Sequence, residues 1–149
     1  MSELPKELAE IVDDFQAVTE RERLELLLEF SEELPALPQR FADHPDLLEQ
    51  VVECQSPLFL TIEVEPEGQR NVSLFFSAPP EAPTTRGFAS ILHQGLNGLP
   101  AEALLAVPDD MPNTLGLTRA LTPLRLRGMT AMLGRIKRQV TERIQAPAV

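Results

Sequence analysis

A single cysteine, Cys54, is the only thiol in 149 residues. It lies in Glu53-Cys54-Gln55-Ser56-Pro57, between the apolar pair Val51-Val52 and an alternating run that begins at Leu58. One thiol cannot form an internal disulfide, and it cannot build a thiolate metal cluster without a second chain. Any chemistry at Cys54 is therefore that of a lone nucleophile or a lone carrier atom: thiol, thioester, sulfenate or persulfide. Cysteine hydrolysis would need a histidine base and an orienting acid, and the chain offers only His44 and His93, neither in a recognisable motif. His44, in Asp43-His44-Pro45, reads as a turn residue, and His93 stands beside Leu92 on a helix. Two separated histidines and one cysteine match no common zinc spacing. Gly87, Gly95 and Gly98 lack the preceding strand and the lysine-serine signature of a phosphate loop. The chain is expected to hold no cofactor and no metal of its own.

The segments around Cys54 must present it. Gln-Ser-Pro is turn chemistry, so Cys54 is expected on a loop tip between strands, where a reactive group meets another protein. Leu58, Leu60, Ile62 and Val64 alternate with Phe59, Thr61, Glu63 and Glu65; Pro66-Glu67-Gly68 turns, and Val72, Leu74 and Phe76 alternate again. That pattern is an antiparallel hairpin with one buried face, and Leu48 to Val52 supplies a third short strand.

Helices surround the hairpin. The first starts near Pro5 and carries Leu8, Ile11, Val12 and Phe15 at core spacing. The second opens on the capping box Thr19/Glu22 and stops at Leu34-Pro35. Three prolines within 35–46 mark an ordered connection back to the sheet. Thr84 or Thr85 is expected to cap a helix with Phe88, Ile91, Leu92 and Leu96 that ends at Gly98, and Pro100 opens a short one through Leu104. Thr122-Pro123 opens the last, whose stripe is Leu126, Met129, Leu133, Ile136, Val140 and Ile144, with Arg127, Arg135, Lys137 and Arg138 off it. The expected fold is α+β: a small antiparallel sheet of about three strands packed against N- and C-terminal helices, in a single domain over 1–149.

Net charge is −10. Residues 1–81 hold 19 acids and 5 bases, while residues 82–149 hold 4 acids and 8 bases, so the halves carry −14 and +4. With no tryptophan or tyrosine and an acidic total, the chain does not read as a nucleic-acid binder; a protein partner fits better. The N-terminus has acids and a lysine without an apolar stretch after them, and no run reaches membrane-spanning length, so the expectation is a soluble, cytoplasmic protein.

The stretch Val51 to Leu60 resembles the cysteine loop of the SufE family, sulfur acceptors that work with cysteine desulfurases in iron–sulfur cluster assembly. Later pieces follow in the family's order: Thr85-Arg86-Gly87-Phe88, Leu115-Gly116-Leu117, and Leu121 through Met132. The resemblance implies a SufE/IscU-like α+β fold and a sulfur-accepting role for Cys54, with Gln55 and Ser56 as its loop neighbours. Arg125 matches the arginine after the Thr-Pro turn, Arg86 a basic position, and Glu81 a position near the helix entrance where aspartate is frequent. Two residues depart from the family pattern: Glu53 stands where glycine is usual, and Phe59 where tryptophan is common. A carboxylate beside the thiol disfavours the thiolate, and a residue other than glycine restricts the loop. The implied partners are a cysteine desulfurase, which owns the pyridoxal phosphate, and a downstream iron–sulfur scaffold or sulfur acceptor. Two other readings stay open on the residues alone: a binding module with an inert Cys54, and a thiol oxidoreductase or hydrolase dependent on His44 or His93.

Overall fold

Thr19 and Glu22 close a reciprocal cap: the Thr19 hydroxyl accepts from the Glu22 backbone N–H at 3.3 Å and the Glu22 carboxylate accepts from the Thr19 N–H at 3.1 Å. In this computed structural model, which describes residues 4–145, that cap starts helix α2 (Glu20–Glu32). Before it, α1 (Lys6–Gln16) uses Pro5 at its N-cap and buries Leu8, Ile11, Val12 and Phe15, the expected stripe. Proline cannot donate a hydrogen bond, which costs nothing at a helix entrance. Both helices pack on α4 (Pro83–Leu96). Gly87 is the point of closest approach, because a Cβ there would lie 2.6 Å from the Leu27 carbonyl oxygen on α2.

Pro83 occupies the first turn of α4 with Ala82 at the cap, which corrects the expectation of a Thr84 or Thr85 cap. Proline's preset φ starts the helix without a side-chain acceptor, and Thr85 becomes a buried helical residue.

The sheet has three antiparallel strands in the order β1 (Glu49–Gln50), β2 (Phe59–Val64) and β3 (Val72–Ser77). Leu60 faces Phe76, Ile62 faces Leu74 and Val64 faces Val72, which puts the apolar set on one face. The first strand is shorter than Leu48 to Val52, since the chain leaves the ladder after Val51 to enter the cysteine turn. The outer edge of β3 is closed by the segment after α4: the Val72 N–H donates to the Leu99 carbonyl, the Gly98 N–H to the Val72 carbonyl, and the Leu74 N–H to Asn97 Oδ1. Gly98 makes this return at φ 87°, a conformation that suits glycine.

The connection over 35–46 is ordered and contains the one-turn helix α3 (Gln39–Ala42). Phe41 packs against Phe75 of β3 with ring centroids 4.8 Å apart and the rings tilted by 50°, so this segment covers part of the sheet's second face. After α5 (Ala101–Leu105), a 3-10 turn at Met111–Leu115 leads to α6 (Pro123–Gln145). Its Met129, Met132, Leu133, Ile136 and Val140 are fully buried, and each such side chain contributes about 1.5–3 kcal/mol by leaving water. Helix α6 lies against β2 and against the cysteine turn, and α4 against β3. One continuous apolar cluster joins these helices to the sheet.

Candidate functional site

Val51 and Leu58, both fully buried, anchor the two ends of the cysteine segment, and the Val51 N–H donates to the Leu58 carbonyl at 2.9 Å. Between them Val52–Cys54 form one 3-10 turn, closed by the Cys54 N–H to the Val51 carbonyl and the Gln55 N–H to the Val52 carbonyl, each 3.2 Å. Gln55 then adopts the left-handed conformation, φ 59° and ψ 7°, which reverses the chain. A side chain with a Cβ holds that conformation at a cost of about 1–2 kcal/mol, so the surrounding contacts impose it. Cys54 is thus in the loop between two paired strands, as the turn residues imply.

The thiol is partly buried and points at α6, where Sγ lies 3.7 Å from the Gly128 carbonyl oxygen. A Cβ at position 128 would meet Cys54 Sγ at 3.1 Å and its Cα at 3.2 Å. Gly128 is therefore the floor on which the turn rests. Beside it opens a pocket of about 140 Å³ lined by Cys54, Gln55, Ser56, Thr85, Phe88, Leu124 and Arg125. Of the lining residues Leu124 is 43% exposed, and Val52, at the start of the 3-10 turn, is 64% exposed.

Electrostatics hold the thiol protonated. Burial first, and the Glu53 carboxylate second, push the Cys54 thiol up to about 11, against a smaller opposing pull from Arg135. Arg135 Nη2 stands 2.9 Å from Glu53 Oε1 and holds the Glu53 carboxyl below the usual carboxylate range. Its Nε donates to Glu49 Oε2 at 3.1 Å. Glu49 also accepts from Arg138 and, at 2.8 Å, from Gln139. Burial raises the Glu49 carboxyl, but these cations and the amide outweigh it and the net direction is down.

Of the residues singled out in the sequence, Cys54, Gln55, Ser56 and Arg125 line one pocket, while Glu53, next to Cys54 in the chain, is outside the lining and pairs with Arg135. Arg125 is exposed, and its N–H donates to the Thr122 hydroxyl in the first turn of α6. Arg86 lies outside the pocket lining and ties three elements together, donating to the Ser31 carbonyl at 3.2 Å and the Ala78 carbonyl at 2.6 Å. Glu81 is exposed ahead of α4 and is also absent from the lining. Neither histidine reaches the thiol pocket. His44 is exposed, and His93 lines a separate cavity of about 290 Å³ with Leu34 and Phe75, where burial keeps its imidazole less basic than usual. Among the described residues no group of three potential metal ligands comes together, and no helix is long and apolar enough to cross a membrane.

Gly128, Arg135, Thr85, Phe88 and Leu124 escaped the sequence reading as site residues. The glycine left a signal, since glycine inside a long helix costs about 1 kcal/mol relative to alanine and marks a close approach. The arginine left none, because its partner is 82 positions away.

Three comparisons bear on this arrangement. A family model described as "SufE: Fe-S metabolism associated domain" matches residues 9–140. SufE-like proteins of two Mycobacterium tuberculosis strains, both named as uncharacterized, are 56% identical over 139 residues, 93% of this chain and 94% of theirs. The chloroplastic/mitochondrial SufE-like protein 1 of Arabidopsis thaliana is 32% identical over 134 residues, 89% of this chain and 34% of that much longer one. The solution structure of a hypothetical protein from Thermus thermophilus superposes with a TM-score of 0.81 at 36% identity, covering 97% of this chain and 100% of that one.

Proposed function

The chain belongs to the SufE family, whose domain is associated with iron–sulfur metabolism, and from that premise we propose that it is a cytoplasmic sulfur acceptor whose Cys54 takes persulfide sulfur from a cysteine desulfurase. The observation that carries this reading is a sole thiol seated in a small pocket whose lining, among the described residues, includes no histidine, no metal-ligand cluster and no second cysteine. Such a site cannot run hydrolysis or a dithiol cycle, but thiol–persulfide exchange needs neither.

In the exchange the Cys54 thiolate attacks the outer sulfur of the donor's persulfide. A bond forms between Cys54 Sγ and that sulfur, the donor's S–S bond breaks, and the donor cysteine leaves as a thiolate with the electron pair. The proton lost from Cys54 is available to that leaving thiolate, and the transferred sulfur keeps its oxidation state, so no external oxidant or reductant enters. The pyridoxal phosphate that generates the persulfide belongs to the partner. Removing sulfur from the desulfurase frees its cysteine for another turnover, so this reading expects the partner to be stimulated, and a downstream scaffold or acceptor to receive the sulfur from Cys54. Exposed Val52, Leu124 and Arg125 around the thiol suit a protein surface as donor.

The thiol's high pKa favours a second reading, a binding module that modulates a desulfurase or scaffold with Cys54 inert. Intact mass after incubation with a cysteine desulfurase and cysteine, against a Cys54→Ser control, separates the two. The acceptor reading expects a sulfur-sized, reductant-sensitive increase in the wild type alone. Demonstrable binding with no increase, and desulfurase stimulation that survives Cys54→Ser, would sink it in favour of the module.

A further inference from the structure

Gly128 and Arg135 are seven residues apart on α6, two helical turns, which places both on the helix face that meets the cysteine turn. Gly128 receives the thiol. Arg135 grips the chain on either side of Val51: its Nε donates to Glu49 on β1, and its Nη2 pairs with Glu53 on the 3-10 turn. Glu53 Oε1 is shielded from solvent and has no aligned hydrogen-bond donor, so the adjacent guanidinium is what compensates its charge. Glu49 is held independently by Arg138 and Gln139, and would stay in place without Arg135. Glu53 would not. The Glu53 side chain is already 36% exposed, so without its cation Oε1 has water to turn toward, and the residue is bonded to the neighbour that carries the thiol.

We propose that Arg135 is a positioning residue for sulfur acceptance: by clamping Glu53 it keeps the Cys54 turn seated on α6, and opening this clamp is what delivers the thiol to a docked donor. The charged groups around the thiol are Glu53 and Arg135 directly, Arg125 across the pocket, and Glu49 with Arg138 behind.

The delivery step rests on the acceptor reading, but the clamp can be tested on the isolated protein. Amide hydrogen exchange over residues 52–56 should be about twofold to fivefold faster in Arg135→Gln and in Glu53→Gln, with no further gain in the double variant and near-native exchange in Arg135→Lys. Alkylation of Cys54 by iodoacetamide against pH supplies a second readout that a structural role alone would not move. Both Glu53→Gln and Arg135→Gln should shift the profile to lower pH, because unseating the turn removes the burial that raises the thiol most, whereas a shift to higher pH in Arg135→Gln would mean that only a cation was lost with the turn still seated, and would overturn the clamp. Unchanged exchange in both single variants, or effects that multiply in the double variant, would overturn the clamp. Wild-type protein that gains no sulfur from the desulfurase would instead sink the acceptor reading and leave the clamp standing.

Discussion

Cys54 rests in its unreactive form because the groups that favour the proton outweigh the opposing pull of Arg135. The Gly128 carbonyl accepts from the S–H, the neighbouring carboxylate repels a thiolate, and the packing of the turn on α6 withholds the water that would solvate one. With the thiol pushed up to about 11, only a small thiolate fraction exists at neutral pH. The resting protein's alkylation by iodoacetamide should therefore climb about tenfold per pH unit from neutrality and show no levelling near the 9.0 of an ordinary cysteine. Stability follows with a definite sign. The unfolded chain's thiol ionises near 9.0 while the folded one keeps its proton to about 11, so the thiol's contribution is complete below 9.0 and is lost as pH rises between those values. Urea midpoints taken on both sides of that window should fall more steeply for the wild type than for Cys54→Ala. Equal slopes would mean that the thiol is as solvated in the folded protein as in the unfolded chain.

Gly87 on α4 and Gly134 on α6 stand in opposite settings. Gly87 lets α4 touch α2, and a Cβ there would run into the Leu27 backbone oxygen at 2.6 Å, a group that cannot move aside without shifting the helix. Gly134, exposed on α6, has nothing within 4 Å of its Cβ position. Gly87→Ala should destabilise by about 1–3 kcal/mol through overpacking, and Gly134→Ala should stabilise by about 0.5–1 kcal/mol through helix propensity. Chemical denaturation of both variants checks the pair, and the same sign for both would refute the assignment. Such local rules also set what could be read before the fold was in hand. The Thr19/Glu22 box, the β2–β3 alternation and the α6 stripe depend on neighbours within a few residues, and each appears where its pattern put it. The α4 cap went to Pro83 rather than to a threonine because two start signals lay side by side and proline's fixed φ prevailed. Within the site, Cys54, Gln55, Ser56 and Arg125 were legible as a turn and a helix entrance. Their setting was not, since the Gly128 floor and the Arg135 pair join positions that only the packing of α6 on the turn brings together.

Charge is distributed across the whole molecule along that same packing. Helices α1 and α2 carry nine acids, all exposed, against Lys6, Arg21 and Arg23, and Arg23 is engaged by the Phe15 and Gly116 carbonyls. Helix α6 carries six bases and one acid, Glu142, and packs on α4, the sheet and the cysteine turn. The acids repel one another across the two outer helices, and the net −10 adds a long-range term of the same sign. Salt acts on this in two directions. It screens the repulsion, and it weakens the ion pairs from Glu49 and Glu53 to Arg135 and Arg138. Pairs of this partial exposure contribute about 0–1 kcal/mol each, while the nine acids interact over distances comparable to the Debye length of about 30 Å at 0.01 M. Repulsion should prevail, so the thermal midpoint should rise as sodium chloride is raised from about 0.01 M to about 0.1 M, where screening shortens that length to about 10 Å. Glu25→Gln and Glu29→Gln, which thin the acidic surface without touching the thiol side, should raise the low-salt midpoint and flatten the salt response together. A midpoint that falls with salt would show instead that the attraction gathered around α6 outweighs the repulsion on α1 and α2, and that the Arg135 network supports the whole fold rather than the cysteine turn alone.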